Sequence, residues 1–578
     1  MTTCSVCEMQ CEIQENRSGS CGMYTCHDGQ IHERFPNSYL IEYPVSIETI
    51  PFLHFYPKNK FLQVSTVGCN FRCVGCVSDL LTRTAAEFTP SLMNTSPKDV
   101  VTRAVNEKCK GIVFALNDPT VSFPTFLGLA DQAKKAGLLI GCSTNGYFTE
   151  ESLSQMIPVV DAVAVGIKGC DDAAYHTCGV RSSEPVFRNI KKLVDSGIHV
   201  EVTVVYEKGS EEDLVKTVKR VVKISPEIPI LVMRFIPFGP ADLALEPGIR
   251  ASEEMCDKLR EYARYVYLFN SPGSSYLQTR CPECGQVIVR REFYGPMGAR
   301  VIDKSTQWTC SCGCTIPHTG TIAQETYQEE GMMGGYRPTR ALEIIKAITT
   351  CLDIQDEKTS AKVWMDFISQ NYIDILHKKI QKIETFYEVI AHLAEITGTV
   401  HKGAQLISYI QDRTAYISSL VQNKKRPRVL YVMGTPLFLL NEDRFENAMV
   451  RAAGGEPVNI NLPRKGKPGI MVDPAFINQL NPDVIMVSGF LATPVEDMYA
   501  ICEEQGIDVN AVRNHRIHLM PPSWDFGSPR FVLGLFYLVS VLHPDCTVDI
   551  EKEAEQFYQQ FYHMSYAEAK PNRSFFRA

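Results

Sequence analysis

The sequence has no apolar run long enough to cross a bilayer, so a membrane-spanning segment is not expected. Its first residues, Met1 to Glu8, carry neither a basic region nor an apolar core, so no secretion signal is expected there. Charge of one sign is not in large excess. Lys and Arg number 58 against 66 Asp and Glu, a net −8, which gives no reason to expect nucleic acid or an anionic membrane as a partner. There is no long internal repeat and no low-complexity tract, which excludes solenoids and fibrous chains. What remains is an ordinary globular composition, 45% hydrophobic and 21% charged, over 578 residues. That length suffices for three or four domains.

Cysteine is abundant. The 21 cysteines concentrate in Cys4–Cys26, Cys69–Cys76 and Cys281–Cys314. Short-spaced clusters without a secretion signal read as metal ligands in a reducing cytoplasm, and an accessible metal–sulfur site favours low oxygen. Cys69, Cys73 and Cys76 form a C-x3-C-x2-C loop directly after the apolar run Phe61–Ser65, with Phe71 inside it. Such a loop supplies three thiolates to a [4Fe–4S] cluster and leaves one iron without a protein ligand. That iron can chelate a small molecule and pass it one electron. The other reading, a zinc knuckle or three buried thiols, fits less well, because zinc sites pair a C-x2-C with a second distant pair and Cys69 does not belong to one.

Residues 58–240 alternate strand-like and amphipathic helical stretches. The expected strands are Phe61–Ser65, Gly111–Leu116, Leu138–Ser143, Asp161–Ile167, His199–Val205 and Ile230–Phe235. The expected helices include Pro97–Cys109, Phe123–Ala136, Pro185–Ser196 and Glu211–Ile224. Six βα repeats predict an α/β fold on a parallel sheet, doubly wound or a partial (β/α)6 barrel, with chemistry at the C-terminal strand ends. Along the chain the expected domains are a Cys-rich metal-binding segment (1–57), the βα domain (58–270), a second Cys-rich island (271–325), helices (326–425) and an α/β lobe (426–578). Polar residues end the later strands where a ligand over the sheet edge would be held. Asn117, Asp118 and Thr120 follow the second strand, and Ser143 and Asn145 follow the third. Lys168 ends the fourth and Arg234 lies near the end of the sixth. Each motif taken alone is also a good turn or helix cap.

Together these motifs resemble the radical S-adenosylmethionine (SAM) enzymes, and in particular the pyruvate formate-lyase activating-enzyme-like branch with its AmmeMemoRadiSam-associated subgroup. The resemblance covers roughly residues 1–320. It rests on the cysteine loop and on Cys4, Cys7, Cys11 and Cys21-Gly22 at the start. It rests also on the stretch from Pro51 to Pro57, Asn117–Thr120, Thr144–Tyr147 and Cys178-Gly179. It implies that Cys69, Cys73 and Cys76 hold the catalytic cluster, and that Asn117, Asp118, Thr120, Ser143, Asn145, Lys168 and Arg234 line the SAM site. It implies reductive cleavage of SAM to a 5′-deoxyadenosyl radical that abstracts hydrogen from a substrate, with flavodoxin or ferredoxin as the reductant. Gly166 stands where activating enzymes carry an Asp two residues before Lys168, Ser143 stands where they carry an acid, and Arg234-Phe235 stands where relatives often carry a His. Activation of a glycyl radical enzyme is therefore not carried over.

Two further cysteine sets read as metal sites. Cys4, Cys7, Cys11 and Cys21 suit either Zn²⁺ or a second iron–sulfur cluster. Cys281 and Cys284, followed by Cys310, Cys312 and Cys314, read as a zinc ribbon, with Cys281, Cys284 and Cys312 as ligands and Cys310 or Cys314 as the fourth. The C-terminal part resembles the second lobe of importer binding proteins for vitamin B12, haem and ferric siderophores. That resemblance is carried by the segments Pro427–Val432, Asn447–Gly455, Leu480–Val484 and Gly527–Arg530. It implies a corrinoid or other tetrapyrrole as the lobe's ligand. The substrate classes left open are a protein or peptide, and a cofactor delivered by the lobe. A non-catalytic metal or cofactor carrier is the reading of another class.

Overall fold

The computed structural model describes residues 1–83, 85–295, 298–303, 308–329, 337–369, 372–460, 462 and 468–569. Its centre is an eight-stranded sheet: β1 (Ile41–Ser46), β2 (Lys60–Ser65), β3 (Gly111–Phe114), β4 (Leu139–Thr144), β5 (Ala162–Ile167), β6 (His199–Tyr206), β7 (Ile230–Arg234) and β8 (Val266–Phe269). The strands lie side by side in chain order. From β2 to β8 every pairing is parallel, and only β1 runs antiparallel, on β2.

Parallel strands are covered on both faces, so their sequences are apolar runs without alternation. β5 reads Ala-Val-Ala-Val-Gly-Ile and all five residues of β7 are buried. Each Val or Ile so buried contributes about 2 kcal/mol relative to exposure. The covering helices start at sequence-encoded caps. In α2 (Pro97–Asn106), Ser96 accepts a hydrogen bond from the Asp99 amide and Pro97 takes the first turn, where no amide partner is needed. α3 (Phe123–Lys135), α6 (Glu184–Asp195) and α7 (Glu211–Ile224) follow the expected segments, with the shorter α4 (Glu150–Met156) and α5 (Asp172–Thr177) between them and α8 (Ile249–Arg260) after β7. The short α1 (Asp79–Arg83) lies directly behind the cysteine loop that follows β2.

Beyond the sheet, α9 (Arg337–Cys351), α10 (Glu357–Ser369), α11 (Tyr372–Lys379), α12 (Ile383–Thr397) and the 22-residue α13 (Val400–Val421) form the helical part. The lobe has a second sheet in which β9 (Arg428–Val432), β12 (Val484–Val487) and β13 (Ile517–Leu519) are parallel. β10 (Phe438–Leu440) and β11 (Gly469–Met471) extend it in antiparallel fashion. One apolar cluster contains Tyr267 and Phe269 of the first sheet, Ile344 of α9 and Phe438 and Phe531 of the lobe, so the parts share a core. None of the described helices is long and apolar enough to cross a membrane.

Candidate active site and metal centres

The cysteine loop leaves β2 at the C-terminal edge of the sheet. Gly68 (φ +87°) and Gly75 (φ +73°) take left-handed conformations that let the chain wrap. A Cβ on Gly75 would lie 2.5 Å from the Phe235 ring. The loop is pinned from several sides. The Arg72 amide donates to the Cys178 carbonyl at 2.8 Å. Arg83 donates to the carbonyls of Arg72 and Cys73 at 3.0 and 2.6 Å and pairs with Asp79. Phe71 is buried edge-on against Tyr147 and Tyr175.

Cys69, Cys73 and Cys76 are half-buried, and burial pushes the Cys69 and Cys76 thiols up. Cys69 Sγ accepts the Phe71 amide at 3.4 Å and faces Asn145 Nδ2 at 3.7 Å. Cys178, which the sequence carries only as part of a motif, acts on Cys73: the Cys73 thiol is pushed up and the Cys178 thiol down by their mutual interaction. Burial works against the Lys168 ammonium, yet Cys73, Cys178 and Cys76 hold its pKa above the ordinary lysine range. Its Nζ lies 3.3 Å from where a Cβ on Gly166 would stand. Three thiols with an amide and an ammonium turned toward them fit an anionic, thiolate-bound group.

The loops after β3 and β4 converge on this site. Asn117 Oδ1 accepts the Thr66 amide at 3.1 Å and its Nδ2 donates to Thr66 Oγ1 at 2.8 Å. Asp118 accepts four hydrogen bonds: from the Thr120 amide and hydroxyl at 3.0 and 2.6 Å, from Thr144 Oγ1 at 3.0 Å and from the Asn145 amide at 2.7 Å. Both carboxylate oxygens are thus spent on fixing the loops. Asn145 Nδ2 donates to Asn70 Oδ1 at 2.7 Å, inside the cysteine loop. Ser143 is half-buried at the end of β4. Arg234 reaches the same edge but turns to the lobe. It is fully buried, donating to the carbonyls of Asn270 (2.9 Å), Pro247 (3.1 Å) and Ala492 (3.2 Å) and pairing with Glu246 at 3.2 Å. Phe238 and Phe490 meet nearby at 6.3 Å between ring centres. The C-terminal strand edges of both sheets therefore face each other.

The N-terminal segment docks on these loops. Tyr24 OH donates to the Thr120 carbonyl at 2.8 Å and accepts the Phe123 amide at 2.9 Å. Glu33 accepts the amide and hydroxyl of Thr125 in the first turn of α3, and burial raises its pKa to about 7. Cys4, Cys7, Cys11 and Cys21 line one small cavity together with Asn70 and Thr120. Burial pushes the Cys7 thiol up to about 12. In the second island the sulfurs of Cys281, Cys284, Cys310 and Cys312 all lie within 4.8 Å of one another, with Cys281–Cys312 at 3.5 Å and Cys284–Cys310 at 3.4 Å. Cys314 stands outside this set, its carbonyl accepting the Cys310 amide at 2.8 Å.

Sequence reasoning missed Asn70 and Tyr24. Asn70 differs from any loop asparagine only by standing between Cys69 and Phe71. No local pattern links Tyr24 to a carbonyl 96 residues away.

A thiol-bearing loop at the C-terminal edge of a parallel α/β sheet, faced by a second α/β lobe, defines a two-part α/β protein with a candidate metal–thiolate site. The radical SAM superfamily pattern matches residues 64–221, and the periplasmic binding protein pattern matches residues 334–523. The chain therefore carries a radical SAM domain followed by a periplasmic-binding-protein-like domain. It is similar to an uncharacterized protein of Methanocaldococcus jannaschii, 28% identical over 320 residues, covering 54% of this chain and 93% of the other. Among solved structures it is similar to a periplasmic solute binding protein from Veillonella parvula (24% identity, 32% of this chain and 59% of that one, TM-score 0.30). It is also similar to a molybdate periplasmic binding protein from Haemophilus influenzae (25%, 33% and 58%, TM-score 0.28). The chain thus spans about three fifths of the length of these binding proteins.

Proposed function

We propose that this protein is an activating-enzyme-like radical SAM enzyme that works on a ligand held between its radical SAM domain and its C-terminal lobe. The observation that carries this reading is that the β3 and β4 loops meet the cysteine loop at the same strand edge where Arg234 contacts the lobe. On this reading the eight-stranded sheet acts as a partial barrel, open toward the lobe. A [4Fe–4S] cluster bound there supplies one electron for reductive cleavage of SAM, the electron coming from a ferredoxin- or flavodoxin-type carrier in the cytoplasm.

The chain's own residues bind and orient. Asn145 and Lys168 stand beside the sulfurs, where they hold the polar groups of SAM. Asp118 fixes the loops, and Asn117, Thr120 and Ser143 complete the edge. The lobe excludes water and stray hydrogen donors from the radical's path. Cys281, Cys284, Cys310 and Cys312 suit a structural Zn²⁺ ribbon, because zinc–sulfur bonds of about 2.3 Å set tetrahedral sulfurs about 3.8 Å apart. The ligand class that the lobe's resemblance favours is a corrinoid or other tetrapyrrole.

The test is anaerobic full-length protein with reductant and SAM. Formation of 5′-deoxyadenosine supports the reading, and its absence removes it. Replacing Cys73 by Ala abolishes that product in an enzyme, whereas a non-catalytic carrier has no such turnover to lose. Titration of the full-length protein with cobalamin and with haem, followed by visible absorption, tests the ligand class. Unchanged spectra exclude it.

A further inference from the structure

We infer that Cys4, Cys7, Cys11 and Cys21 hold a second multi-iron sulfur cluster rather than a zinc ion, seated directly against the loop that carries Cys69, Cys73 and Cys76. The three cysteine sets differ in how far apart they hold their sulfurs. A single tetrahedral zinc draws four sulfurs to about 3.8 Å from one another, whereas a cubane places several metal and sulfide atoms between its ligands and needs a wider frame. Among the described residues, Cys281, Cys284, Cys310 and Cys312 meet the compact condition, with all four sulfurs inside 4.8 Å. Cys69, Cys73 and Cys76 do not close to that distance as a set, nor do any three of the N-terminal four. The N-terminal cysteines are therefore spread like the radical SAM set and unlike the ribbon.

These four cysteines still face one space. They line a single cavity whose remaining wall includes Val6, Ile13 and Val121. An apolar wall around spread thiols suits a large, soft, thiolate-bound group. Two contacts place this cavity beside the radical SAM loop. Asn70, buried at 6% exposure, lines the same cavity as Cys7, and its buried Nδ2 has no hydrogen-bond partner among the described residues. Its Oδ1 accepts Asn145 Nδ2 at 2.7 Å, and the same Nδ2 faces Cys69 Sγ at 3.7 Å. One amide pair thus links the wall of the N-terminal cavity to a sulfur of the radical SAM set. Backbone pairing holds the arrangement: the Glu8 amide donates to the Tyr147 carbonyl at 3.1 Å, and Thr149 Oγ1 donates to the Ser5 carbonyl at 2.6 Å.

The inference concerns metal identity and position, so it is separable from the radical reading. Full-length protein is reconstituted without oxygen in excess iron, sulfide and zinc, as wild type and as the Cys69→Ala/Cys73→Ala/Cys76→Ala variant, which leaves every N-terminal residue in place. The wild type is expected to hold about eight irons and the variant about four, with matching sulfide, and both to hold one zinc at the ribbon. Adding Cys7→Ser and Cys11→Ser to the variant removes the remaining iron. In the reduced wild type the paramagnetic signals of two neighbouring clusters broaden one another, and the variant's signal sharpens to that of one isolated cluster. An iron-free variant carrying two zincs per chain overturns the inference. Unbroadened wild-type signals at eight irons overturn the seating against the radical SAM loop. A wild type that makes no 5′-deoxyadenosine while the variant keeps its iron defeats the radical reading and leaves this inference standing.

Discussion

At the scale of single residues, the site depends on two positions that hold its loops in place. Asp118 is 4% exposed and accepts four hydrogen bonds that tie the β3 loop to the β4 loop. Asp118→Ala leaves the Thr144 hydroxyl and the Asn145 amide buried without their acceptor, and each such loss costs about 1–3 kcal/mol. Denaturant midpoints of the anaerobic protein should fall accordingly, and iron should be retained less well because Asn145 no longer fixes Cys69. Unchanged midpoint and iron content would contradict this role. Gly75 is the second position. Its φ of +73° disfavours any side chain, and the Phe235 ring occupies the Cβ position. Gly75→Ala therefore carries a conformational cost of about 1–2 kcal/mol plus a clash. Adding Phe235→Leu relieves only the clash, so iron content should recover in part in the double variant. Full recovery would mean that the backbone conformation is unimportant, and no recovery that the ring is.

At the scale of elements, the parallel strands were legible because burial on both faces writes itself as apolar runs, and the loops followed because chemistry gathers at the C-terminal edge. Six of the eight strands were read in this way. β1 was not, because Pro44 and the half-buried Glu42 and Tyr43 disguise an edge strand. β8 has only four residues. The segment from Pro51 to Pro57 was quoted as a motif with no structural role assigned, and its role is burial beneath the opposite end of the sheet. The Pro317 carbonyl can only accept, so His54 Nδ1 carries the proton at 2.7 Å, and His54 Nε2 accepts from Tyr267 OH at 2.6 Å. Tyr267 in turn accepts from Thr279 at 3.0 Å, and Thr279 accepts from Arg291 at 2.6 Å. Glu201 accepts the amides of Leu53 and His54 at 2.9 and 2.8 Å. Burial lowers the His54 pKa to about 4 from the ordinary 6.5. The unfolded chain therefore takes up a proton before the folded one does. The stability that neutral His54 contributes is whole above pH 6.5 and is lost as pH falls toward 4, a change of about 3 kcal/mol. The difference in denaturant midpoint between wild type and His54→Asn, followed from pH 7.5 to 4.5, should shrink over that window. A difference independent of pH would rule out a buried neutral imidazole.

At the scale of the whole molecule, the question is whether the lobe is an appendage or part of the catalytic body. Nothing in the sequence signals the docking, because the contacts across the junction join residues more than 200 positions apart and use ordinary residue types. Arg234 illustrates this: it ends its strand where a ligand-binding residue was expected, yet its guanidinium is held by Asn270, Glu246 and Pro247 and reaches the Ala492 carbonyl of the lobe, 258 positions away. Two ion pairs near this junction separate the alternatives. Arg234 is fully buried and its partner Glu246 nearly so, and removing one member of such a pair costs about 3–5 kcal/mol because the other charge stays buried. Arg250 and Glu504 cross the same junction at 2.9 Å, but both side chains are more than 40% exposed, and an exposed pair contributes at most about 1 kcal/mol. If the lobe and the radical SAM domain form one cooperative body through their shared core, calorimetry of the wild type shows a single transition. Arg234→Ala should lower that transition steeply or split it in two, whereas Arg250→Ala should leave it nearly in place. Equal, small effects of both substitutions would show that the lobe unfolds on its own and that the face-to-face strand edges are not a built chamber.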